Sequence, residues 1–132
     1  MSHPIRRRKF TPEEFTALVD EAIESLPTAL RDRIRNIAIV VERAPSPEQL
    51  RRGDVPPGET LLGLYEGVPL TERPHNYGNV VPDKITIFQA PIEAIAGHDA
   101  GRLREQVRRT VLHEIGHYFG IDDDRLEELG AY

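Results

Sequence analysis

At 132 residues, with 39% hydrophobic and 30% charged residues, the chain suits one ordinary globular domain with a single core. A formal net charge of −5 argues against a general nucleic-acid binder and, more weakly, against an anionic membrane surface. There is no cysteine, so disulfides and thiolate metal sites are excluded, and any metal must be held by imidazole and carboxylate.

No apolar run approaches the length of a membrane span. The basic N-terminus (Arg6, Arg7, Arg8, Lys9) lacks the apolar centre of a secretion signal. We expect a cytoplasmic monomer that binds neither nucleic acid nor membrane. Residues 1–10 read as a basic, flexible, solvated tail and 11–132 as one domain.

In chain order, Thr11-Pro12-Glu13-Glu14 is a helix start, with Thr11 as cap, Pro12 in the first turn and Glu14 closing a capping box. Phe15, Leu18, Val19, Ala22, Ile23 and Leu26 recur at three and four, so an amphipathic helix should run to about Pro27. A shorter helical stretch through Leu30 and Ile34 follows. Ile37 to Glu42 is a β-branched run and reads as a buried strand.

Residues 44–58 are rich in proline and charge and read as a surface loop. Thr60 to Tyr65 reads as a second strand closed by Glu66-Gly67, and Pro69 to Pro82 as irregular. Lys84 to Gln89 alternates as a third strand, and Pro91 to Ala96 begins a short helix or turn. His98 precedes the next helix and is expected to cap or pack rather than bind metal.

The long helix is predicted from about Ala100 to Phe119. Leu103, Val107, Val111 and Ile115 form a stripe spaced by four, widened by Leu112 and Phe119. His113 and His117 fall on a different side. They belong to T-V-L-H-E-I-G-H-Y-F-G-I-D-D-D, residues 110–124. Residues four apart on a helix stand one above the other, so both imidazoles can turn toward one cation, and the Glu114 carboxylate can hold a water bound to it. Gly120 suits the left-handed position after a helix end.

A catalytic zinc site has three protein ligands and one open position. The turn at Gly120 returns the chain toward the metal, which makes Asp123 the candidate third ligand beside His113 and His117. Asp122 and Asp124 are close rivals, and Glu127 and Glu128 weaker ones. The competing reading is that these acids cap a last short helix, from Asp124 through Leu129. Two histidines and a carboxylate suit one zinc per chain, although iron, manganese or nickel fit such donors as well.

The segment His113 to Asp123, H-E-x-x-H-x-x-G-x-x-D, resembles the zincin metallopeptidases. The metzincins among them also carry a methionine-containing turn. Here the only methionine is Met1, and nine residues follow Asp123. Together with L-L-G-L-Y-E-G-V-P-L-T and P-D-K-I-T-I-F-Q-A-P-I, the motif is similar to the small bacterial zincin-like domains called minimal zincins. The resemblance covers about residues 37–129. It implies an α+β fold, a small mixed sheet of three to four strands packed on the active-site helix, plus the N-terminal helix.

The expected function is zinc-dependent hydrolysis of a peptide or protein substrate by a metal-activated water, with Glu114 as general base. The alternative is a non-catalytic, metal-stabilised peptide- or protein-binding module. A strand edge, Thr60 to Tyr65 or Lys84 to Gln89, could hold an extended peptide. Arg73, His75 and Tyr77 are candidates to steady an oxyanion, although ordinary loop roles suit each of them better.

Overall fold

The computed structural model describes residues 10–34, 36–56, 58–67, 83–121 and 124–125. Helix α1, Pro12–Glu24, begins as the sequence implies: Thr11 Oγ1 accepts from the Glu14 amide, and the Glu14 carboxylate accepts from the Thr11 amide. Both are amides that helix geometry alone would leave without partners. A short helix α2, Thr28–Arg33, leads into strand β1, Ile37–Glu42, which has the expected bounds but as an outer strand of the described sheet is half-buried rather than buried, with Ala38 exposed.

Residues 44–58 depart from the expected loop. They contain helix α3, Pro47–Arg52, whose cap repeats the device of α1, with Ser46 and Gln49 bonded reciprocally. Its six residues are too few to show an apolar stripe, which is why only the cap marks them in the sequence. Helix α3 is tied down by side chains, Gln49 to Glu42 of β1 at 3.2 Å and Arg52 to Glu66 of the following strand.

Strands β2, Gly63–Glu66, and β3, Asp83–Phe88, complete a mixed sheet of order β1-β3-β2. Central strand β3 is parallel to β1, with Ile39 opposite Ile85, and antiparallel to β2, with Gly63 opposite Ile87. Helix α4, Gln89–Ala96, follows β3 directly. Helix α5, Ala100–Tyr118, starts at Asp99, whose side chain accepts from the Arg102 amide at 3.0 Å. The cap is therefore Asp99, and His98 lies exposed beside it.

The α5 stripe is the spine of the core. Leu103, Val107 and Val111 have no exposed surface and Ile115 has 3%. They belong to one buried cluster with Phe15, Val19 and Ala22 of α1, Ile92 and Ala96 of α4, and Ile85 and Ile87 of β3. Tyr118, absent from the sequence stripe, is also buried and meets Tyr65 of β2 edge to face, ring centres 6.1 Å apart. The core thus fixes α5 along its length and leaves the histidine side turned outward. No described helix is long and apolar enough to cross a membrane.

Candidate metal centre and its cleft

Helix α5 ends where the sequence places its end. Gly120 has φ of +79°, its amide donates to the His117 carbonyl at 2.9 Å, and the Ile121 amide donates to the Gly116 carbonyl at 2.9 Å. These are the two closing bonds of a Schellman motif, which needs a left-handed residue that glycine supplies at little cost.

One turn back, His113 and His117 converge. Their Nε2 atoms are 2.9 Å apart and the rings meet nearly edge to face, at 86°. Two imidazoles on one tetrahedral zinc require about 3.3 Å between nitrogens, from Zn–N bonds of about 2.0–2.1 Å. The nitrogen separation is therefore within a few tenths of an ångström of what a shared ion needs. A Glu114 carboxylate oxygen completes a group whose ligand atoms all lie within 4.8 Å of one another. Imidazole with carboxylate is a donor set that fits zinc.

Glu114 is turned inward, 6% exposed, between α5 and β2. The wall opposite it is Gly63. A β-carbon placed there would lie 2.9 Å from Glu114 Cγ, 3.1 Å from the Thr110 methyl and 3.3 Å from Glu114 Oε2. Glycine at this position lets the strand backbone approach the carboxylate closely. The sequence marks Gly63 only as a glycine within a strand-like run, a known sign of close backbone approach.

From this point a cleft of about 230 Å³ extends toward the start of α5, between Thr60, Leu61 and Leu62 on one side and Gln106, Arg109 and Thr110 on the other. Arg108 holds the neighbouring Glu105 carboxyl down at about 2 by hydrogen bonding. Desolvation opposes this, and the contact with Arg109 adds to it. Glu105 is thus ionised across the neutral range, one carboxylate shared by two guanidiniums.

Of the other predicted site residues, Asp122 and Asp123 lie outside the described residues, as do Arg73, His75, Tyr77, Glu127 and Glu128. Asp124 is described as helical and exposed and is not part of the His113–Glu114–His117 group.

Residues 34–131 match the model of the zincin-like metallopeptidases. The chain belongs to this family. Among solved structures, the zincin-like chain is similar to a conserved hypothetical protein from Thermo thermophilus. The two share 23% identity over 91% of this chain and 97% of the other, with a TM-score of 0.52, a likeness of fold alone. A comparison with curated proteins finds no match.

Proposed function

We propose that this zincin-like protein is a zinc-dependent peptidase of the cytoplasm, with His113, His117 and Asp123 as metal ligands and Glu114 as general base. The observation that carries the reading is the position of Glu114, buried beside two converging imidazoles and against the backbone of a sheet edge. A bound zinc ion would acidify the attacking water and polarise the peptide carbonyl. Glu114 takes the water's proton on a carboxylate oxygen and hands it to the departing amine, so one group serves as base and then as acid.

The sheet supports one of the two expected peptide-binding edges. Strand β3 is paired on both sides and Gln89 already opens α4, which removes Lys84 to Gln89. Strand β2 is an outer strand among the described residues. The Phe88 amide bonds the Leu62 carbonyl at 2.9 Å. By the alternation of an antiparallel ladder, the N–H and C=O of Gly63, one residue on, point away from β3. An extended substrate adding to this edge would bring its backbone alongside Glu114.

Two experiments test this. Elemental analysis of protein purified without added metal or a histidine tag should find about one zinc per chain, clearly reduced in Asp123→Ala. Equal zinc in both would move the third ligand to a neighbouring acid. No zinc in wild type, even after zinc is offered, would end the reading. Separately, Gly63→Ala should lower kcat by roughly 10- to 100-fold while zinc content holds, because the added methyl displaces the base. An unchanged kcat would show that the close approach at Gly63 does not position Glu114.

A further inference from the structure

The cleft wall facing α5 is the last part of the connection from α3 to β2. Leu61 and Leu62 are both half-buried there, and they differ in what holds them. Leu62 packs against the core cluster, and its carbonyl accepts from the Phe88 amide. Leu61 does not belong to that cluster. It meets Gly53 instead: a β-carbon on Gly53 would lie 2.8 Å from Leu61 Cδ1 and 3.0 Å from Cδ2.

Gly53 is a fixed support. Its amide donates to the Gln49 carbonyl at 2.9 Å, and Arg52 before it is tied to Glu66. Leu61 therefore has an anchored residue without a side chain on one side and the cleft on the other. The two ends of the connection touch at this contact, as in compact surface loops that often carry function.

Across the cleft, polar groups of α5 engage one another. The Thr110 hydroxyl donates to the Gln106 carbonyl at 2.9 Å and accepts from Gln106 Nε2 at 3.3 Å. Arg109 Nε is directed to Glu105 at 3.2 Å. An occupant thus meets two leucines, a threonine methyl and the hydrocarbon stems of longer side chains. One guanidinium and one carboxylate, Arg109 and Glu114, line the same space, so neither sign of charge is favoured. Size narrows the occupant further. An apolar cavity of about 150 Å³ holds a benzene ring, and about 230 Å³ here suits one such side chain together with its attachment to a backbone.

We propose that the cleft takes one large apolar side chain of the substrate, aromatic or branched aliphatic, and that Leu61, positioned by Gly53, sets the size admitted. The inference rests on the peptidase reading for its substrate, and the test has two arms so that the readings fail separately. In the first, zinc-loaded full-length protein digests a mixed peptide library and the products are sequenced. Phenylalanine and leucine should be enriched about tenfold over alanine, lysine and glutamate at one fixed position beside the cut, the low end of what a hydrophobic pocket discriminates.

Two substitutions outside the catalytic group should move this preference in opposite directions. Gly53 has φ of −82°, which alanine adopts freely, so Gly53→Ala displaces the flexible end of Leu61 and favours valine and alanine. Leu61→Ala enlarges the space and favours tryptophan. With Leu61 already replaced, adding Gly53→Ala should change nothing further. Each variant is checked for fold by circular dichroism. Cleavage without a size preference, shifts in the same direction, or a Gly53→Ala effect that persists without Leu61 overturns the proposal.

The second arm needs no cleavage. Zinc-loaded, methyl-labelled wild type is titrated with N-acetyl-phenylalaninamide and, separately, N-acetyl-alaninamide, and followed by nuclear magnetic resonance. The phenylalanine compound alone should shift the methyl signals of Leu61 and Thr110, and should bind about tenfold more weakly to Gly53→Ala. Unmoved signals at these two residues, or equal shifts with both compounds, overturn the proposal. A library left uncut would remove the peptidase reading alone, and this arm would then decide the pocket.

Discussion

Glu114→Gln is expected to keep zinc and fold while losing cleavage by about a thousandfold, the middle of the range for removing a general base. Glutamine fills nearly the same space between α5 and Gly63, so the packing around this buried position should survive. The amide cannot accept the water's proton, and that step is what the substitution removes. Steady-state kcat on any cleaved peptide, with elemental analysis of the same sample, measures the effect. Cleavage within about tenfold of wild type would remove Glu114 from the role of base. Lost zinc would instead make it a ligand, an assignment its proximity to both imidazoles also allows.

The largest effect on stability should come from Phe15→Ala. Phe15 has no exposed surface and joins α1 to the cluster built on the α5 stripe. Truncating such a phenylalanine costs about 3–5 kcal/mol, a large share of the roughly 5–15 kcal/mol that holds a domain folded. The melting temperature should fall by roughly 10–20 °C. Ile95→Ala, at a position 55% exposed, should stay within about 0.5 kcal/mol of wild type. A loss under about 1 kcal/mol for Phe15→Ala in urea unfolding would mean that α1 is not an integral part of the core.

What was legible in this sequence was local. The box at Thr11 announces α1, strand β1 has its predicted bounds, and the four-residue spacing of His113 and His117 specifies converging imidazoles once α5 is granted. Helix α3 escapes a reading by periodicity, yet Ser46-Pro47-Glu48-Gln49 repeats Thr11-Pro12-Glu13-Glu14 in chemistry and spacing. Its cap was the available signal. Strand β2 runs from Gly63 to Glu66 rather than from Thr60 to Tyr65, and Thr60 and Leu61 lie before it along the cleft.

Contacts between distant parts of the chain were not legible. Nothing near Gly63 indicates that a carboxylate 51 residues later will need the space its side chain would fill. Likewise the burial of Tyr118 depends on Tyr65, which the α5 pattern alone does not contain. The choice between two strand edges needed the sheet order, a property of no single segment.

The closing turn of α5 has one mechanical consequence. His117 contributes an imidazole to the candidate centre, and its carbonyl also anchors the Gly120 amide at 2.9 Å. The ring and the turn that redirects the chain are therefore mounted on a single residue. Any shift of that last helical turn carries both together, so the aim of the outgoing chain relative to the imidazole pair is set by backbone bonds.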